Sequence, residues 1–140
     1  MIYNLDSCII IEFLRSNETV KKKLGAAMMA NDTLVICSVV YYEVMRGFDQ
    51  LNPPTRRRIK FDQLYSDTKH IVLDDKAAGI AAEIYRYLSK RGRKIEDADI
   101  FIAAITMAND AVLITDNVKH FERVPNLKVV NWKDFGGEGT

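Results

Sequence analysis

Five acidic residues of this 140-residue chain stand where a carboxylate can do more than solvate a surface. Asp6 directly follows the apolar run Met1 to Leu5, and Asp116 follows Ala111 to Thr115. At helical spacing Glu43 shares a face with Val39, Val40, Val44 and Gly47, which points it inward. Asp97 and Asp99 lead the apolar stretch Ile100 to Met107, where a helix dipole favours negative charge. Two apart on a helix, they cannot both face one point, so Asp99 is the first candidate and Asp97 a cap or auxiliary ligand. Singly, each acid has a plainer use: Asp6 and Asp116 as N-cap or turn residues, Glu43 as a partner of Arg46, Asp99 as a helix-start residue. Jointly they repel, each close pair by up to about 4 kcal/mol at 4 Å and an effective dielectric near 20. No lysine or arginine is expected at the same strand-end positions. A divalent cation is then the economical counter-charge, and an all-oxygen ligand set selects Mg²⁺ or Mn²⁺ over Zn²⁺.

The elements that position these acids follow from periodicity and end signals. A strand over Met1 to Leu5 is followed by a helix capped by Ser7 that runs to about Leu14, and a second helix covers about Asn17 to Ala30. Leu34 to Cys37 reads as a strand, Ser38 caps a helix to about Phe48, and Pro53 and Pro54 open another that lasts to Ser66. Next come strand Ile71 to Leu73 and an amphipathic helix, Asp75 to Lys90, with Gly92 where a helix stop belongs. The apolar helix after Asp99 leads to strand Ala111 to Thr115, a short helix to Phe121 capped by Asn117, and a last strand, Lys128 to Val130. Short apolar strands alternating with longer helices specify an α/β fold, a mostly parallel sheet of four to five strands covered by helices on both faces. Ligands bind such sheets beyond the carboxyl ends of the strands, where strand order reverses, which is where Asp6 and Asp116 fall. One domain over 1–134 and a flexible tail over 135–140 are expected.

Composition narrows the function. Hydrophobic residues at 48% and charged residues at 28% describe an ordinary globular chain, not a disordered one. No charge-free stretch is longer than Ile100 to Asn109, which is too short to cross a bilayer, and a cytosolic location is expected. Cys8 and Cys37 make no disulfide framework; both read as reduced thiols, and Cys8 lacks a histidine to activate it as a nucleophile. His70 and His120 read as surface or capping residues. Neither a GxxxxGK[ST] phosphate loop, a GxGxxG turn nor a GxSxG elbow occurs. The net charge of +1 predicts no polyanion partner by itself, yet Arg56, Arg57, Arg58 and Arg91, Arg93, Lys94 form basic clusters able to meet RNA phosphates.

The order of motifs resembles a PIN-domain ribonuclease, and more narrowly the VapC toxins of toxin–antitoxin pairs. It rests on Leu5, Asp6, Ser7, on Val39 to Glu43, on Asp97 to Ala104, on Leu113 to Asn117 with Phe121, and on the closing Asn131, Trp132. The resemblance implies a Mg²⁺- or Mn²⁺-dependent endoribonuclease with the acids Asp6, Glu43, Asp99 and Asp116, a homodimer or a hetero-oligomer with a cognate VapB antitoxin. Ser7, Thr115 and Asn117 would support the ligands. Where the family often reads Asp-Thr-Asn, this chain has Asp6, Ser7, Cys8, which removes an amide from the site. In the family the antitoxin groove resembles the helices from Asn17 to Ala30 and Pro54 to Ser66, which would expose Ala26, Met29, Phe61, Leu64 and Tyr65. Two other classes remain: a catalytically silent binding module with the same fold, and a strand-end-aspartate phosphatase or receiver, which lacks its second acid because Cys8 stands two residues after Asp6.

Overall fold

The computed structural model describes residues 1–48 and 54–133. The expected tail and Pro53 lie outside them. Five parallel strands form one sheet: β1 (Ile2–Leu5), β2 (Thr33–Cys37), β3 (Lys69–Ile71), β4 (Val112–Ile114) and β5 (Val129–Val130), in the order β3-β2-β1-β4-β5. Consecutive residues Leu34 to Cys37 are all buried, as are those of β4, so both faces of the central sheet are covered. Strand order reverses beside β1, whose neighbours are β2 and β4, and the Asp6 N–H continues the ladder onto the Ile114 carbonyl at 2.9 Å.

Seven helices fill the connections: α1 (Ser7–Leu14), α2 (Glu18–Met29), α3 (Ser38–Arg46), α4 (Arg56–Ser66), α5 (Asp75–Lys90), α6 (Asp97–Ala108) and α7 (Val118–Phe121). Helix α1 packs on α2, α3 and α4, while α5 lies along α6. Helix α6 is central, with Ile102, Ala103, Ala104 and Ile105 at most 1% exposed. Gly92, at φ +63°, ends α5 as expected, with the Arg93 N–H reaching back to the Leu88 carbonyl at 2.9 Å.

Several local expectations are corrected. Asp6, not Ser7, caps α1, its Oδ1 accepting the Ser7 N–H at 2.8 Å. Cys37 holds the cap position of α3 and Ser38 is its first residue, and α4 opens at Thr55, whose hydroxyl accepts the Arg58 N–H. Strand β3 lies two residues earlier than the apolar triplet Ile71 to Leu73 suggests: Cys37 pairs Ile71 at the end of the ladder, and as an edge strand β3 needs little burial. Phe61 and Leu64 are core, 0% and 4% exposed, with Phe61 set against the tilted rings of Tyr41 and Phe48, so they offer nothing to a partner; Met29 and Ala26 are exposed. No described helix is long and apolar enough to cross a membrane.

Candidate active site

Asp6 is the most tightly held of the acids. Its Oδ1 caps α1 and its Oδ2 accepts a hydrogen bond from the buried Thr115 hydroxyl at 2.8 Å. Thr115 Oγ1 in turn accepts the Asn117 N–H at 3.1 Å, which ties the end of β4 to the end of β1. Asn117 therefore contributes its backbone; its side chain makes no cap bond to α7. Burial raises the Asp6 pKa most, and the Asp99 charge adds to the rise, against the lowering bonds from Thr115, Ser7 and Cys8.

Cys8 is part of this knot and not merely packed at a helix start. Its Sγ lies 3.6 Å from Asp6 Oδ2 and 3.4 Å from Thr115 Oγ1, and accepts the Asp116 N–H at 3.5 Å. Burial, then the Asp6 charge, push the thiol up to about 12, so it is a neutral hydrogen-bonding group and no nucleophile. It takes a place from which an asparagine amide would offer stronger bonds.

Glu43 stands on the other side. Its pKa is raised by burial first and then by Asp6 and Asp99, while the Ser7 side chain and Arg46 act in the opposite direction. One of its oxygens, Oε1, is buried with no partner. Glu43 also lines a groove of about 380 Å³ with Ile11, Leu14, Arg15, Val44, Phe48 and Arg57 among its walls.

The other two acids carry partners that sequence reasoning missed. Asp99 Oδ2 meets His120 Nε2 at 2.8 Å, so His120 belongs to the site and is no mere surface residue. Asp116 Oδ2 lies 3.6 Å from the Lys133 ammonium, which overturns the expectation that no cation stands among the strand ends. The available signals were thin: His120 is one turn past the Asp116–Asn117 corner, and Lys133 follows the last strand by three residues. Asp97 is placed elsewhere. Two residues from Asp99, and so about 200° round the helix, it lines a groove with Ala78, Tyr85, Arg86 and Phe101 on the α5 side.

Of the basic clusters, Arg57 reaches the Glu43 groove. Arg58 is spent on Asp62 at 3.1 Å, and Arg56 is exposed. Arg91 sits 3.5 Å over the Tyr87 ring, Lys94 5.8 Å from the Tyr85 ring, and Arg93 is exposed.

Among the described residues no three His, Cys, Asp or Glu side chains stand close enough to hold an ion as they are. The donor set nonetheless fits a hard divalent cation. Four carboxylates surround the ends of β1 and β4; two of them are pushed up by burial and by neighbouring acids, Asp6 by Asp99 and Glu43 by Asp6 and Asp99, and one buried oxygen lacks any partner.

A model of the PIN domain matches residues 3–127. Ribonuclease VapC2 of Rickettsia felis is 29% identical over 132 residues, 94% of this chain and 98% of that one. The crystal structure of VapBC2 from Rickettsia felis, bound to a DNA fragment from their promoter, superposes with a TM-score of 0.85 at 28% identity, covering 94% of this chain and 99% of that one. VapBC-1 from nontypeable Haemophilus influenzae gives 0.83 at 27% identity, with 96% and 100% covered.

Proposed function

Because the chain belongs to the PIN-domain family, we propose that it is a VapC-type toxin, an endoribonuclease that hydrolyses RNA phosphodiesters with Mg²⁺ or Mn²⁺ at Asp6, Glu43, Asp99 and Asp116. The observation that carries this reading is the buried, unpartnered Oε1 of Glu43 in a centre where Asp6 and Asp99 already raise its pKa. A bound cation relieves such an arrangement at a pH where the carboxyls are ionised.

Asp6, Asp99 and Asp116 would hold the ion, with Glu43 as a further ligand or as the group that orients water. When bound, the ion supplies an ionisable water at neutral pH and positive charge against the oxyanion of an in-line displacement. The protein's own part is positioning. Thr115 and the Ser7 amide fix both oxygens of Asp6, and His120 fixes one of Asp99, so the carboxylates present lone pairs in set directions. The substrate expected is RNA with an exposed single-stranded loop, since splayed bases are what proteins read in RNA.

Ribonuclease VapC2 and the VapBC structures supply the partner by analogy: a VapB-type antitoxin, with this chain as a homodimer or within a hetero-oligomer. The groove beside Glu43 suits such a peptide, with apolar walls at Ile11, Leu14, Val44 and Phe48 and an acidic end that an arginine-bearing tail would neutralise.

The test is cleavage of total cellular RNA by the purified chain in Mg²⁺ or Mn²⁺, with EDTA and Asp6→Asn as controls. Discrete products that vanish in both controls are expected. No cleavage together with no metal binding would leave a silent binding module, and hydrolysis of a phosphomonoester without RNA cleavage would point to a phosphatase.

A further inference from the structure

We propose that Lys133 is an RNA phosphate-binding residue of this centre, held in place by Glu12. The inference rests on the ribonuclease reading and adds a residue to it. The chain beyond β5 is pinned at two points. Trp132 is buried and packs edge-on against Tyr3, ring centroids 5.0 Å apart, and the Lys133 N–H donates to Asn131 Oδ1 at 2.8 Å. From that anchor the ammonium reaches to 3.6 Å from Asp116 Oδ2 and 3.7 Å from Glu12 Oε2. Glu12 is itself held, by Arg15 at 3.7 Å and by the Asn17 side-chain amide at 3.4 Å.

Both lysine distances are longer than a direct charged hydrogen bond. The ammonium is thus steered by two carboxylates and saturated by neither, and 45% of its side chain stays exposed. Three donors on a compact charge suit a phosphate oxygen. A phosphodiester entering a centre of four carboxylates meets repulsion, and a fixed cation at the edge of that centre offsets it. Arg15 meets the same Glu12 Oε2 at 3.7 Å and lines the groove that also holds Glu43 and Arg57, so cations continue from Lys133 through Arg15 to that groove, a border that a polyanion can follow.

The experiment compares the full chain with Lys133→Met, Lys133→Arg and Glu12→Gln, using total tRNA as the probe. Binding is followed from 50 to 200 mM salt in EDTA, and cleavage in Mn²⁺. Lys133→Met is expected to flatten the plot of log affinity against log salt by about 0.7, the value for one phosphate contact on a single strand. It should also raise KM about fivefold, the upper range for one exposed ion pair. Lys133→Arg should restore both, and Glu12→Gln should raise KM while keeping the slope, because the charge remains but is no longer steered. Unchanged slope and KM in Lys133→Met, with Mn²⁺ bound more tightly, would make Lys133 only a counter-ion of Asp116 and overturn the inference. A wild-type chain that cleaves no RNA in Mn²⁺ sinks the ribonuclease reading itself, whereas wild-type cleavage with those unchanged values sinks this inference alone.

Discussion

Asp6 and Glu43 are both carboxylates pushed up by burial, yet they stand in opposite settings. Around Asp6 every oxygen is bonded, and the bonds join α1 to the end of β4 through Thr115. Around Glu43 one oxygen is bonded to nothing and an open groove begins. The closed side fixes geometry and the open side admits ligands. The proposed ribonuclease, which would hold a cation rigidly and still accept a polymer, needs both, and the two settings meet at the reversal of strand order.

The largest expected effect on that contrast comes from Asp6→Asn. Cleavage should fall by more than the roughly 10–100-fold typical of losing an outer partner of a metal ligand, while the melting temperature in EDTA stays the same or rises. Asparagine keeps the cap of α1 and removes a desolvated charge. Cleavage retained in this variant would remove Asp6 from the chemistry.

Next in size is stabilisation by the ion. Mn²⁺ at 100 times its Kd should stabilise the wild-type chain by about 2.7 kcal/mol, read as a rise in melting temperature, and Asp6→Asn should abolish the rise. A wild-type melting temperature indifferent to Mn²⁺ would break the assignment of the centre.

Thr115→Val sharpens the comparison, because it leaves a buried carboxylate oxygen of Asp6 with only the longer, weaker contact to the Cys8 thiol. A loss of about 1–3 kcal/mol is expected from denaturant unfolding in EDTA. In a double-mutant cycle with Asp6→Asn the two should couple, whereas Thr115→Val and Glu43→Gln should be closer to additive.

Smaller still is the pH dependence. Asp6 and Glu43 have folded pKa values above their ordinary 3.8 and 4.5, so between those values and the raised ones the folded state binds more protons than the unfolded state. Stability in EDTA should therefore fall as pH rises through that window, and it should fall less in Asp6→Asn or Glu43→Gln. The smallest effect is at Arg58→Ala, which breaks an exposed pair with Asp62 on one helix and should cost about 0.3–0.5 kcal/mol with cleavage unchanged.

The fold was legible because its signals are local. Helix α5 has the bounds that apolar spacing and end signals predict, α1 ends where expected, and the five strands alternate with helices as a parallel sheet demands. Strand β3 was misplaced because an edge strand carries little hydrophobic signal, the cap of α1 was misjudged because aspartate and serine stand at adjacent positions, and that of α3 because Cys37 takes the cap position without a side-chain bond. The four acids could be picked out because each directly follows a strand or sits on an apolar helix face.

Their partners could not. The bond from Thr115 to Asp6 spans 109 residues and that from His120 to Asp99 spans 21, and nothing in local periodicity says which strand ends lie side by side. Residue types and spacing alone determined an α/β chain whose carboxylates gather at one end of its sheet. Tertiary structure alone decided that Asp97 faces α5, that Cys8 sits among Asp6, Thr115 and Asp116, and that His120 and Lys133 bring positive or protonatable groups to that end. The physical reason is that charge complementarity acts through space, and strand order, which sets those distances, is chosen by the packing of the whole core.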